Sequence, residues 1–110
     1  MIHGTHNAEA DARNENVWIS INGEFFQRSE AKISVFDSGY LVGDGVWEGI
    51  RLHHGKLVFI GDHLKRLWTA AKATGIKLPF SKDELIASIN RTLSKNAMHD
   101  GVHVLSLIHI

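Results

Sequence analysis

The sequence contains no cysteine and only one proline. Without cysteine, disulfide scaffolds, thiolate metal sites and cysteine nucleophiles are excluded. No apolar run approaches the roughly 18 residues that a membrane-spanning helix needs, and residues 1–16 lack the apolar segment of a signal peptide. Twelve basic residues balance twelve acidic ones, so bulk charge favours neither nucleic acid nor a membrane surface as a partner. We therefore expect a cytoplasmic protein with no nucleic-acid partner and no membrane partner.

The first ordered element predicted by the sequence is a β-hairpin. In residues 17–22 the side chains of Val17, Ile19 and Ile21 alternate with those of Trp18, Ser20 and Asn22, which is the period of a strand. Asn22-Gly23 is typical of a two-residue hairpin turn, and residues 24–27 form the return strand. Residues 1–16 are rich in Asn, Ala, Glu and Asp, and we expect them to form a loose tail.

Three further segments have the pattern of extended chain. Residues 31–36 form an extended stretch, and residues 49–60 read as a second hairpin around His54-Gly55. Residues 102–110 are apolar and partly β-branched, which predicts a final strand.

Two helices are predicted between the second hairpin and the final strand. The first begins at Asp62 as N-cap, carries an apolar stripe and ends at Gly75. The second begins with a capping box formed by Ser81 and Glu84, and it ends near Asn96. Strands followed by helices and a strand predict an α+β class with a small antiparallel sheet and two helices.

The segment Gly39–Gly49 contains four glycines. Such a density is unusual for a helix interior or a regular strand, and it predicts a loop that bends sharply. The loop is either a plain structural bend or a surface that faces a ligand. Trp47, which lies within it, belongs either to the core or to the wall of a pocket.

Charged residues offer one candidate anion site and no convincing metal site. Arg66 is either a solvated cation on the first predicted helix or an anion ligand, because its guanidinium matches phosphate oxygens. Among the acidic and histidine residues, the only candidate metal-binding group consists of Glu48, Asp62 and His63. No predicted helix carries histidine pairs four residues apart, and we expect no bound metal.

Four segments, taken together, resemble a known family. They are Val17–Glu24, Ala31–Tyr40, Gly43–Arg51 and Asp62–Leu67. In this order and at these spacings they are similar to the N-terminal domain of class IV aminotransferases, the fold-type IV pyridoxal-phosphate enzymes. The resemblance extends over residues 17–104.

The resemblance implies a small α+β domain that is followed by a larger domain, with pyridoxal 5′-phosphate between the two. It implies that Arg66 binds the cofactor phosphate, that Trp47 walls the substrate pocket and that Arg51 lies near the substrate. The implied function is transfer of an amino group between an amino acid, of the branched-chain or D-amino acid type, and a 2-oxo acid by a homodimer. The alternatives are an aminodeoxychorismate lyase of the same family and a non-enzymatic α+β interaction module.

The resemblance also implies that part of the enzyme lies outside this chain. The family's Schiff-base lysine follows the N-terminal domain, and none of the seven lysines here matches it. We therefore expect an aminotransferase fragment that is inactive alone. Residues 105–110 match what a common transposon-end sequencing adapter encodes in one frame, so we expect either adapter read-through or a truncated strand.

Overall fold

The computed structural model describes residues 11–109 and divides the chain into two compact units, Met1–Ala31 and Lys32–Ile110. Most of the predicted tail lies outside the described residues. Its described end contains a 3-10 turn at Ala12–Asn14, preceded by Asp11, whose side chain accepts a hydrogen bond from the Arg13 backbone N–H.

The predicted hairpin of the first unit is confirmed. Strand β1 (Trp18–Ile21) pairs antiparallel with strand β2 (Glu24–Gln27). The turn residues Asn22 and Gly23 have positive φ angles of 52° and 82°. Two consecutive left-handed residues give the tight turn whose twist matches that of the paired strands.

The second unit combines an antiparallel sheet with helices, which confirms the predicted α+β class. Its strands, in the spatial order β4-β3-β5, are β3 (Gly45–His53), β4 (Lys56–Leu57) and β5 (Val102–His109). Its helices are α1 (Ser38–Val42), α2 (Ile60–Ala73) and α3 (Lys82–Lys95). Helix α1 was not predicted. Within residues 11–109, no helix has the length and apolar character required to cross a bilayer.

Helix α2 begins earlier than predicted. Phe59 is its N-cap, with a left-handed φ of 54° and no side-chain cap. The prediction of Asp62 as N-cap is therefore wrong, because Asp62 lies inside the first turn. Its carboxylate still interacts favourably there with the helix dipole. The predicted end is confirmed, since Gly75 follows the helix with a φ of 76°.

Helix α3 has the predicted ends. The Ser81 hydroxyl accepts a hydrogen bond from the Glu84 backbone N–H, and the Glu84 carboxylate accepts one from the Ser81 backbone N–H, both at 3.1 Å. Asn96 is the C-cap. This reciprocal pairing satisfies two N–H groups that would otherwise lack a partner at the helix start.

Two predictions for residues 31–49 are wrong. Residues 31–36 belong to no strand, and the glycine-rich segment forms most of α1 and the first half of β3 rather than a loop. Helix α1 starts where the Asp37 side chain accepts a hydrogen bond from the Gly39 backbone N–H at 2.8 Å. It ends at Gly43, whose φ of 69° is left-handed.

Gly49, the second of the two glycines in β3, lies close to a side chain of the neighbouring strand. A Cβ atom on Gly49 would lie 2.5 Å from the His103 Nε2 on the neighbouring strand β5. A side chain at position 49 would therefore require the exposed His103 ring to move aside.

The core of the second unit lies between β3 and α2. Its buried cluster consists of Val46, Leu64, Leu67, Ala71 and Ile76. This packing fixes one face of β3 against one face of α2, and it determines which polar side chains meet at their boundary.

Candidate functional site

Strand β3 presents two different faces. Val46, Glu48, Ile50 and Leu52 alternate along it and are buried, whereas the residues between them are exposed or partly exposed. Alternate residues of a strand point to opposite sides of the sheet. We call the buried side, which packs on α2, the inner face of β3, and the other side the outer face.

Glu48 is the one charged residue of the inner face, and its residue surface is only 4% exposed. Arg66 donates two hydrogen bonds to it, from Nε to Oε1 at 2.5 Å and from Nη2 to Oε2 at 2.8 Å. His63 Nδ1 lies 2.7 Å from the same Oε2. His63 and Arg66 are three residues apart and so share one side of α2. The packing of β3 on α2 thus assembles a Glu48–His63–Arg66 cluster.

The Glu48 carboxylate is ionised. Hydrogen bonds from Arg66 lower the pKa of Glu48 to about 2, although burial opposes this change, and the contact with His63 acts in the same direction as Arg66. The carboxylate in turn raises the pKa of Arg66. At neutral pH the cluster therefore holds an ionised carboxylate against a charged guanidinium.

Arg66 retains donors that Glu48 does not use. A guanidinium has five N–H donors, and Glu48 accepts from Nε and from one N–H of Nη2. The Arg66 side chain is 70% exposed, and within residues 11–109 it makes no further hydrogen bond. Nη1 and the second N–H of Nη2 form what we call the distal edge of Arg66. Such an edge can give two parallel hydrogen bonds to a phosphate or carboxylate.

The other two predicted site residues lie elsewhere on β3. Trp47 is 65% exposed and Arg51 is exposed, both on the outer face. Trp47 is thus not part of the core. The structure brings Trp47 and Arg51 to one face but places Arg66 against Glu48 on the inner face. Their roles toward a substrate stay predictions.

The structure brings together only part of the candidate metal-binding group named in the sequence analysis. Glu48 and His63 do meet, but the other partner of the Glu48 carboxylate is the Arg66 guanidinium. In the described part of the chain, no group of three or more His, Cys, Asp or Glu side chains is arranged to hold a metal ion.

Sequence reasoning missed the partnership of Glu48 with Arg66. A usable signal is present, because Glu48 occupies the buried phase of an apolar alternation that includes Val46, Ile50 and Leu52. A carboxylate at such a position requires a cationic or hydrogen-bonding partner. Treating residues 43–49 as a loop concealed the alternation.

Comparisons with known proteins agree on one family. A family model described as amino-transferase class IV matches residues 45–109. A provisionally named branched-chain-amino-acid aminotransferase of Methanocaldococcus jannaschii is 43% identical over 82 residues, or 74% of this chain and 28% of that protein. A D-alanine aminotransferase of Staphylococcus aureus (strain MSSA476) is 40% identical over 84 residues, or 76% of this chain and 30% of that protein.

Comparison with solved structures indicates the same family. The branched-chain amino acid aminotransferase from T.th. with pyridoxamine 5′-phosphate superposes with a TM-score of 0.77 and 28% identity, covering 86% of this chain and 32% of that one. The predicted resemblance to the N-terminal domain of fold-type IV enzymes is thereby confirmed. The chain spans less than a third of the length of the two curated relatives, at 28% and 30%.

Proposed function

The chain belongs to the class IV aminotransferase family, and from this premise we propose that it forms the cofactor-phosphate-binding part of a pyridoxal-phosphate-dependent transaminase. The observation that carries the proposal is the distal edge of Arg66, which is exposed, permanently charged and held in place by Glu48. Its two donors fit the oxygens of a phosphate monoester.

In the proposed mechanism the cofactor supplies the reactive group, and the residues of this chain bind the cofactor and the substrate. When bound, pyridoxal phosphate supplies the electron sink that makes bonds at the α-carbon of an amino acid reactive. Arg66 binds the phosphate and thereby fixes the position of the cofactor ring. Trp47 and Arg51 are proposed to contact the substrate. That part rests on the family resemblance, together with the exposure of both side chains on the outer face of β3.

We propose that the substrates are an amino acid of the branched-chain or D-amino acid type and a 2-oxo acid. Relatives named for both types of substrate match this chain with similar identity, 43% and 40%, so both types are retained. A homodimer and a cytoplasmic location are also part of the proposal.

The 110-residue chain is proposed to be inactive by itself. All seven lysines are exposed, whereas an amine that forms a Schiff base at neutral pH needs a desolvated or cationic environment that lowers its pKa. The proposed enzyme therefore takes its Schiff-base lysine from a further part of the protein.

Binding of pyridoxamine 5′-phosphate to the 110-residue chain tests the proposal. This ligand has no aldehyde, so it cannot form adducts with the surface lysines as pyridoxal phosphate would. We expect the chain to bind it in preference to pyridoxamine, which lacks the phosphate, in a titration followed by NMR. Arg66→Ala is expected to weaken binding by about 10- to 100-fold.

The matched control is Arg91→Ala, which removes an exposed guanidinium from α3 and should leave the affinity unchanged. Equal binding of pyridoxamine 5′-phosphate by wild type and Arg66→Ala, or no binding by the wild type, would contradict the proposal.

A further inference from the structure

We propose that Glu48 is a positioning residue, which holds the Arg66 guanidinium so that its distal edge is presented to the phosphate. This inference rests on the proposed function of Arg66. It assigns to Glu48 a purpose beyond charge compensation, and it makes the buried carboxylate part of the phosphate site without a contact to the phosphate.

The geometry of the pair supports a positioning role. An exposed arginine samples many rotamers, and it loses that freedom when it binds a ligand. Here two parallel hydrogen bonds, from Nε to Oε1 and from Nη2 to Oε2, fix both the direction and the plane of the guanidinium. The 70% exposure of the side chain shows that packing alone does not confine it. Glu48 therefore supplies most of the restraint.

Glu48 is itself restrained. It lies on the inner face of β3 with 4% exposure, and His63 Nδ1 lies 2.7 Å from Oε2. Rotation of the carboxylate would break the contact with His63 or one bond to Arg66. The guanidinium is thus tied to the rigid sheet through a carboxylate that has one favourable orientation.

Charge and position act in opposite directions on phosphate binding. The negative charge of Glu48 repels a phosphate on the far side of Arg66, so a purely compensating Glu48 would weaken binding. Removing the charge would then strengthen binding. If Glu48 positions Arg66, removing it weakens binding instead, because the guanidinium must be ordered when the ligand arrives.

Two variants separate these effects. Glu48→Gln keeps the length of the side chain and removes its charge, while Glu48→Asp keeps the charge and shortens the side chain by one methylene. We expect both to weaken binding of inorganic phosphate and of pyridoxamine 5′-phosphate to the 110-residue chain by about 3- to 10-fold. Tighter binding by Glu48→Gln together with unchanged binding by Glu48→Asp would overturn the inference.

The mobility of the Arg66 side chain can be measured on the wild-type chain, so this test does not depend on whether a Glu48 variant folds. The order parameter of the Arg66 Nε–H bond, from 15N relaxation, should be about 0.85, like a rigid backbone amide, whereas that of exposed Arg91 should be below about 0.6. Equal mobility at the two arginines would overturn the inference even if a Glu48 variant unfolded.

Binding measurements on the Arg66 and Glu48 variants also distinguish a failure of this inference from a failure of the proposed function. If Arg66→Ala weakens phosphate binding as expected while both Glu48 variants bind normally, only the positioning role fails. If Arg66→Ala binds normally, the proposed phosphate site fails, whatever the Glu48 variants do.

Discussion

At the scale of single residues, Glu48 and Arg66 cannot be changed independently. Arg66 is the main hydrogen-bond donor to a carboxylate that is almost fully buried. Removing Arg66 leaves the buried carboxylate without its main compensating partner, and an uncompensated buried charge is costly. A variant at Arg66 therefore affects folding as well as anion binding, and the two effects have to be measured separately.

Arg66→Ala is accordingly predicted to lower the thermal midpoint of unfolding, measured by circular dichroism at pH 7. The double variant Glu48→Gln/Arg66→Ala should be destabilised by less than the sum of the two single changes, because both remove the same interaction. A midpoint for Arg66→Ala equal to that of the wild type would show that the pair contributes nothing to folding.

The low pKa of Glu48 predicts a specific acid sensitivity. The folded-state pKa of about 2 lies below the ordinary value of 4.5, so the unfolded chain binds more protons between these values. Stability supplied by Glu48 is therefore complete above about pH 4.5 and is lost as the pH falls toward 2. Asp11 and Asp100, whose pKa values are also lowered, act in the same direction.

Urea unfolding of the wild type and Glu48→Gln between pH 6 and pH 2.5 checks this prediction. The free energy of unfolding should fall less steeply with decreasing pH in the variant, because the glutamine cannot take up the proton. Parallel curves for the two proteins would contradict the assigned ionisation.

At the scale of elements, the helices and strands with local sequence signals were predicted, whereas those that depend on contacts distant in sequence were missed. Hairpin β1–β2 and the start of α3 were predicted because Asn22-Gly23 and the Ser81–Glu84 pair fix their backbone without help from the rest of the chain. The strand character of residues 45–48 was missed, because it depends on pairing with β5, about 60 residues later.

Part of the candidate site could likewise be predicted from the sequence, and part of it depends on contacts between distant segments. The anion-binding interpretation of Arg66 was available from its chemistry and from the family resemblance. The partnership with Glu48 required the register that sets β3 against α2, and no local pattern encodes that register. Trp47 and Arg51 could be assigned to a common face only after the segment was known to be a strand.

The capping box of α3 yields an element-scale prediction. Ser81→Ala removes the hydroxyl that accepts the Glu84 N–H and should reduce the free energy of unfolding by about 1 kcal/mol. Ser94→Ala, an exposed change in the last turn of the same helix, should have little effect. Chemical denaturation of both variants makes the comparison. Equal stabilities would show that the capping box does not stabilise α3.

At the scale of the whole molecule, the outer face of β3 and β5 exposes large apolar side chains. Trp47, Leu105 and Leu107 are each more than half exposed, and Trp47 and Leu107 are directly opposed in the strand register. Contiguous apolar surface of this kind favours association.

We predict that the 110-residue chain self-associates as its concentration rises, as seen by sedimentation velocity, and that Trp47→Ser reduces the association. Phe59→Ser, which changes an exposed aromatic residue outside this face, serves as the control. A single monomeric species for the wild type at all concentrations would contradict the prediction.

The central claim is that Arg66 binds the phosphate of the cofactor. The most direct measurement is an NMR titration of the 15N-labelled chain with pyridoxamine 5′-phosphate, observing the guanidinium nitrogens of Arg66. The predicted result is a saturable shift of Nη1 and Nη2, little change at Nε, which stays bonded to Glu48, and no shift with pyridoxamine. Unperturbed Arg66 signals, with the shifts at Arg51 or on the outer face of β3 instead, would contradict the central claim.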